Sequence, residues 1–431
     1  MNRPRQRHTR RKGKTLPREG STEQHIVLIH RYFWPDTPMY AHILKSIAVR
    51  LGEEGHKVTV LTCQPSYNRA VVDRASAREV LAPGVTVRRW HVFDDRRSSS
   101  LKVVNLVTFC ARLLMARRTL GSINVVMAAS TPPVAVAKVA SWLARASGAR
   151  FVYHKQDIYP EVVTAPGILR KPRLAALLRW VDSRTDRAAA RVIVLSQDMA
   201  KTVQGRGVSS EQVETINNFD PWTVDGSIES DSPPLETPRS SGVFDVVFAG
   251  NLGRFQNLET VIAVATEMRK DPGVIFHFYG DGALRPSIEQ AVESQGLANV
   301  RLYGYRPPSE IADFLQNRAD LGIVSLEPGV IEAAYPSKTM SYLRQGCPVL
   351  ALVESHSELA RMLESTGAGR QADPGDVGGV VSTLRDLRSN PDGLRSSREA
   401  AAAVYRERFS SERQLEEWAR LFHRLGTKEV R

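Results

Sequence analysis

Short apolar runs alternate with helical segments along nearly the whole chain, and the alternation occurs twice, on either side of a stretch that suits neither element. The first series has apolar runs at 25–30, 57–62, 85–93, 123–127, 149–153, 191–195 and 212–216. A second series follows at 244–249, 274–279, 300–303, 321–325 and 349–353. Such runs, separated by enough chain for a helix, are the mark of parallel strands buried on both faces and joined by crossover helices. Between the two series, residues 218–242 are rich in Pro, Ser and acids and read as a linker. At 431 residues the chain is also too long for one ordinary core. The expected architecture is therefore α/β: two doubly wound, Rossmann-like domains at 25–217 and 243–402, facing each other across a cleft. C-terminal helices complete it, with 403–431 expected to pack back on the first domain.

Charge is distributed unevenly. Of the net +13, eight positive charges lie in residues 1–18, which contain no acid. The tail 1–24 has almost no apolar residues, so it is expected to be disordered, and it lacks the apolar centre of a secretion signal. A second basic region, 96–156, holds ten Lys/Arg and no Asp or Glu. Within it Val103, Leu106, Val107, Cys110, Leu113 and Leu114 recur at helical spacing, among Lys102, Arg112, Arg117 and Arg118. This segment reads equally as a helix lying on an anionic membrane surface and as a core-facing helix with snorkelling cations. No window approaches the ~18 continuous apolar residues of a spanning helix. Cys63, Cys110 and Cys347 are too widely spaced for a disulfide framework or a zinc site, which points to a reducing compartment and no metal. A cytoplasmic protein, peripheral on the inner face of the membrane, is the expectation. The tail lacks the interleaved aromatics that would favour nucleic acid, so no nucleic-acid partner is expected.

In doubly wound domains the ligand meets the loops that follow the strands. Three such loops in the second series are Gly-rich: Gly250-Asn251-Leu252-Gly253-Arg254, Gly280-Asp281-Gly282, and the stretch 326–332 leading to Pro336. Glycines let backbone approach a ligand, and Arg254 has the fork that binds phosphate in bidentate fashion. Lys338 is placed in the first turn of a helix that begins near Pro336 and ends at Gly346. A cation there opposes the helix dipole unless an anion is bound beside it; a solvated surface lysine is the competing reading. The absence of G-x-G-x-x-G after the first strand, and of any P-loop motif, argues against a nicotinamide enzyme or a P-loop ATPase.

Taken together, Gly250-Asn-Leu-Gly-Arg254, Tyr279-Gly-Asp-Gly282 and Pro336-Ser-Lys338 with Gly346-Cys-Pro-Val349 resemble the donor-binding domain of the retaining GT-B glycosyltransferases of family 4. In the first half, Arg31-Tyr-Phe-Trp-Pro-Asp36, Gly55-His-Lys-Val-Thr-Val60 and Asp157-Ile-Tyr-Pro-Glu161 resemble the branch acting in O-antigen, capsule and exopolysaccharide assembly. The resemblance covers about residues 25–425.

It implies transfer of a sugar, with retention, from a nucleotide-diphosphate sugar to a lipid-linked or polysaccharide acceptor. The UDP-linked donor would be a co-substrate, with no separate cofactor and no metal. On this resemblance Lys338, Arg254 and Asp157 carry catalysis. Gly250, Asn251, Gly253, Gly280, Asp281, Gly282, Glu332, Pro336 and Ser337 join Arg254 and Lys338 around the donor. Asp36, Thr37, His154, Asp157 and Glu161 face the acceptor. The chain departs from the family pattern at Ala333 and Ser341, where many members have two glutamates, the second binding ribose; Glu332 stands one position off. It departs again at Gln256, Gln156 and Thr37-Pro38, where a lysine, a histidine and a glycine pair are usual. An epimerase on the same scaffold, or a nucleic-acid-binding protein, is the alternative.

Overall fold

A computed structural model of the chain describes residues 23–67, 74–94, 98–223 and 242–427. The basic run 3–18 and the interior of the linker lie outside the described residues. The first domain runs β1 (His25–Ile29), α1 (Met39–Glu53), β2 (Lys57–Cys63), β3 (Arg78–Ala82), β4 (Val85–Trp90), α2 (Ser99–Leu120), β5 (Val125–Ala129) and α3 (Ala135–Ala146). It continues through β6 (Arg150–His154), α4 (Glu161–Thr164), α5 (Pro172–Arg187), β7 (Arg191–Val194), α6 (Gln197–Gln204) and β8 (Val213–Thr215). In the second are β9 (Phe244–Ala249), α7 (Leu258–Glu267), β10 (Val274–Tyr279), α8 (Arg285–Gln295), β11 (Val300–Gly304), α9 (Pro308–Asn317), β12 (Leu321–Ser325) and α10 (Lys338–Arg344). Then come β13 (Val349–Leu352), α11 (Glu358–Thr366), β14 (Gly369–Ala372), α12 (Val377–Ser389), α13 (Pro391–Val404) and α14 (Ser411–Gly426).

The sheets order as β3-β4-β2-β1-β5-β6-β7-β8 and β11-β10-β9-β12-β13-β14. Strands β1, β5, β9 and β12 are buried along their whole length, as strands covered by helices on both faces must be. Strand order reverses between β1 and β5 and between β9 and β12, and at those points the loops leave the strands' carboxyl ends in opposite directions and open a crevice.

Two edge strands depart from the expectation. β3 pairs antiparallel with β4 through a turn at Pro83-Gly84, so the first sheet is mixed rather than wholly parallel. Its sequence, Arg-Glu-Val-Leu-Ala, is charged and largely solvated, which hides it from a search for buried runs. β14, Gly-Arg-Gln-Ala, escapes because it is short and has alanine as its one apolar side chain.

Helix α14 lies on the first domain although it belongs to the end of the chain. Trp418, Leu421 and Phe422 join Ile43, Leu44 and Ile47 of α1 in one core. Gln24 Nε2 donates to the Phe422 carbonyl at 2.9 Å and Arg150 Nη1 to that of Leu425 at 2.7 Å. The two domains also meet directly beside the cleft. The Ile158 N–H donates to the Ala333 carbonyl at 2.7 Å, and Asp157 forms an antiparallel bridge with Ala334. On the α6–α11 side, the Glu358 N–H donates to Asp198 Oδ2 at 2.6 Å while the Gln197 N–H donates to the Glu358 carboxylate. Each helix N-terminus is thus met by the other domain's carboxylate, which compensates two sets of free N–H groups at once.

Candidate functional site

A cavity of about 700 Å³ lies between the domains at the carboxyl ends of both sheets. Thr37, His42, Tyr67, Asp157, Val162, Asp220 and Trp222 line it from the first domain; Gly250, Asn251, Gln256, Gly280, Asp281, Arg306, Ser337, Lys338 and Ser341 line it from the second. Size and placement suit a small molecule held between two domains.

Lys338 opens α10 directly behind Ser337. Its Nζ lies 3.6 Å from the centroid of the Phe248 ring and donates to Gln256 Oε1. No carboxylate pairs with it among the described residues, and burial pushes its pKa well below the ordinary lysine value. A desolvated ammonium held by an aromatic face and a neutral amide lacks the anion that would restore its charge. Gln256, where many family members carry lysine, supplies a carbonyl acceptor; a second ammonium there would repel the first. The start of α10 has few free N–H groups to offer an anion. The Thr339 and Met340 N–H groups already donate, to the carbonyls of Pro336 and Ser337 at 3.1 and 3.2 Å.

The Gly-rich loops bring backbone to backbone. Gly280, at φ 128°, sits so close to Gly250 that a Cβ would fall 1.9 Å from the Gly250 carbonyl oxygen, and a Cβ on Gly282 would fall 2.5 Å from that of Leu252. The Leu252 N–H donates to the Asp281 carbonyl at 2.9 Å, locking the two loops together. These glycines are required by loop packing itself. At Gly253 a Cβ would meet the Asn251 side-chain amide at 2.8 Å.

Asp157 lines the cavity from the first domain, at the end of β6. Its N–H donates to Ser130 Oγ at 3.0 Å, and burial raises its carboxyl to about 6. The loop it opens is anchored from behind. Arg206 Nη2 donates to the Tyr159 carbonyl at 2.8 Å and to the Glu161 carboxylate, while its Nη1 reaches Asp182 Oδ2 at 2.6 Å.

Several residues read as site groups occupy other places. Arg254 is exposed and does not line the cavity; Arg306, from the loop after β11, does. The Glu332 side chain is exposed beside His356, at 3.8 Å, and its carbonyl accepts from Thr202 Oγ1 at 2.8 Å, so it is no substitute for a ribose-binding carboxylate. Glu161 is turned to Arg206 and to Arg179 at 2.9 Å. His154 is fully buried, bonded to Tyr40 Oη at 2.8 Å and packed on Trp418, with burial driving its pKa down to about 3. It is a neutral core histidine. Asp36 is buried and accepts from the N–H groups of Ser66 and Tyr67, both at 3.1 Å, so it shapes the loop rather than facing the cavity as Thr37 does. Gly253, Gly282 and Arg254 are likewise absent from the lining, whereas Pro336 is part of it.

The structure also adds a carboxylate the sequence concealed. Asp220 lies in the stretch read as linker, yet residues up to Thr223 are ordered against the cleft. It is hydrogen-bonded to Ser341, lies 3.5 Å from Arg344 Nη1, and accepts from the Trp222 N–H at 3.1 Å. Burial, partly offset by Arg344, raises its carboxyl above the ordinary range. Where the family pattern has a glutamate on α10, this chain has Ser341 joined to an acid from the opposite domain.

The model of the glycosyl transferase 4-like domain matches residues 40–218, and that of the glycosyl transferases group 1 matches residues 243–390. The chain is 27% identical over 267 residues to the probable glycosyltransferase WbjE of Pseudomonas aeruginosa, a match covering 61% of this chain and 66% of WbjE. It is 26% identical over 369 residues to the putative colanic acid biosynthesis glycosyl transferase WcaI of Escherichia coli (strain K12), covering 81% of this chain and 89% of WcaI. Among solved structures, HepE of Anabaena in complex with UDP-glucose superposes with a TM-score of 0.65 at 14% identity, over 93% of this chain and 99% of HepE. The two matched domains, the paired doubly wound sheets and the helix that returns to the first domain agree: the chain belongs to the family 4-like GT-B glycosyltransferases.

Proposed function

We propose that the protein moves a sugar from a UDP-linked donor to a lipid-linked or polysaccharide acceptor, with retention of anomeric configuration and without a metal ion. The observation that carries this reading is Lys338, a desolvated ammonium with no acid partner among the described residues, facing a cavity that Asp157 lines from the opposite domain. As the bond between the anomeric carbon and the diphosphate breaks, negative charge grows on the departing phosphate oxygen. A fixed cation already stripped of water stabilises that charge without reorganising. Arg306 also lines the cavity, half-exposed and 3.8 Å from Glu310, a pairing with which a bound diphosphate would compete. Asp157, with a carboxyl at about 6, is largely ionised at neutral pH and can accept a hydrogen bond from a sugar hydroxyl.

The likeness to HepE, solved with UDP-glucose, supports UDP as the carrier. Colanic acid biosynthesis, named for WcaI, supports a polysaccharide context. Free thiols at Cys63, Cys110 and Cys347 suit the cytoplasm, and no described helix is long and apolar enough to cross a membrane. The testing experiment is a screen of nucleotide sugars for thermal stabilisation and for slow release of nucleoside diphosphate. One UDP-sugar is expected to do both, with product configuration read by NMR. A chain that neither binds nor hydrolyses any nucleotide sugar would refute the proposal.

A further inference from the structure

Helix α5 is inverted. Its buried residues include Asp182, Ser183, Thr185 and Asp186, while Leu174, Leu177 and Trp180 are each 42–56% exposed. A helix on a water-facing surface has the opposite pattern. Lys155 and Arg206 account for the polar inner face, because they draw both aspartates inward. Nothing within the described chain accounts for the apolar outer face.

That face continues onto its neighbours. Of the fourteen large apolar side chains exposed among the described residues, ten lie on α2, α3, α5 or the loop entering α5, so the exposure is clustered rather than scattered. Helix α3 packs against both α2 and α5, which makes the three one surface. On α2 the apolar residues divide: Leu113 is buried, whereas Val107 and Met115 point outward. The sequence reading of a single apolar stripe on α2 is corrected accordingly.

The charge of this surface is one-sided. The three helices carry ten Lys/Arg, and their only acids are the buried Asp182 and Asp186. Lys138 lies 5.7 Å from the Trp142 ring and Arg184 4.9 Å from the Trp180 ring. Partial burial, and then the charge of Arg184, disfavour protonated Lys138. Two neighbouring cations between two exposed indoles match a partner that is anionic and apolar together. A second copy of the chain meeting the same face would set cations against cations. Lipid at the headgroup level offers phosphate and hydrocarbon at adjacent depths, where tryptophan is favoured.

We propose that the α2–α3–α5 face docks on an anionic phospholipid bilayer, with Trp142 and Trp180 at headgroup depth and Lys138 and Arg184 on lipid phosphates. The inference deepens the reading of a lipid-linked acceptor and rests on it. Its placement fits: Arg179 of α5 pairs with Glu161 at 2.9 Å, and Val162 beside Glu161 lines the cleft, so the docked face adjoins the acceptor side.

The test is co-sedimentation of the full chain with phosphatidylcholine vesicles, with or without phosphatidylglycerol, for wild type, Trp142→Ser/Trp180→Ser and Lys138→Ala/Arg184→Ala. Wild type is expected to bind only the vesicles containing phosphatidylglycerol, with its tryptophan emission shifted to the blue. Removing the two cations is expected to weaken binding roughly thirtyfold. The tryptophan pair is expected to lose the spectral shift and most of the binding. Release of UDP from a UDP-sugar in solution stays unchanged in both variants, which separates failure of docking from failure of the transferase reading. Equal binding to neutral vesicles, no binding, or full binding by both variants, whose basic tail is intact, would overturn the proposal. So would a concentration-dependent dimer that the tryptophan variant abolishes.

Discussion

Two buried lysines, Lys155 in the first domain and Lys338 in the second, show how this chain uses buried charge. Lys155, behind β6, is enclosed by carboxylates: Asp182 Oδ2 at 2.6 Å and Asp186 Oδ1 at 2.8 Å, with Arg206 joining both acids. Burial alone would raise Asp182, but Lys155 and Arg206 outweigh it and hold the carboxyl below its usual value. Lys338 is also desolvated, yet its partners are a ring and an amide. In the first site the fold itself supplies the acids that face the lysine, although burial raises the second of them, Asp186, to about 6; the second site is left one anion short, and the proposed donor supplies it. Matched buried charge is architecture, and unmatched buried charge marks where a ligand belongs.

The contrast can be broken most severely at the matched site. Lys155→Met leaves two buried aspartates to share Arg206 alone and is expected to lower stability by about 3–5 kcal/mol, read by chemical denaturation. At the unmatched site the opposite pattern should hold. Lys338→Ala removes a desolvation cost, so its melting temperature should equal or exceed wild type, while kcat falls about 10²–10³-fold, or ~2.7–4 kcal/mol. Lys338→Arg should recover only part of the loss, because a planar fork does not replace a point charge. A destabilised Lys338→Ala with ordinary turnover would reverse the assignment of the two lysines.

The two halves of this contrast were unequally legible in the sequence. Both sheets could be read because strands covered on two faces must be apolar throughout, and only the polar edges β3 and β14 escaped. Lys338 stood out as a cation at a helix start. Its neutral holder Gln256 did not, since the contact joins residues far apart in the chain. Asp220 was hidden by its position in a polar stretch that reads as linker until it is seen against Ser341. Glu332 and Glu161 were misplaced because a sequence shows that an acid is near a loop but not which way it turns. Arg254 and Arg306 both follow strands of the second domain and both are exposed, and only the latter lines the cleft.

A gentler perturbation sharpens the comparison through pH. The Asp157 carboxyl titrates at about 6 in the fold against 3.8 for the free group, so the folded state binds its proton more tightly than the unfolded chain. That group favours folding most at low pH, and its cost develops as pH rises from about 4 to about 6. Asp157→Asn should therefore match wild-type stability at the acid end and exceed it progressively toward neutrality, while losing turnover. Urea titrations across this window provide the check, and parallel curves for the two proteins would show that Asp157 is solvated. The smallest expected effect is none at all: EDTA should leave activity unchanged, because cations of the protein stand where a metal would otherwise neutralise the diphosphate. Loss of activity on chelation, restored by Mg²⁺ or Mn²⁺, would contradict that.

The unmatched charge of Lys338 is tested most directly by calorimetry of UDP binding in buffers of different ionisation enthalpy, held somewhat below the ordinary lysine pKa of ~10.4. At that pH burial leaves the Lys338 side chain partly as the neutral amine in the empty cleft, and a diphosphate restores the ammonium, so binding takes up a proton, and Lys338→Met abolishes that uptake and weakens affinity. UDP binding with no proton linkage, and of equal strength in Lys338→Met, would contradict the account.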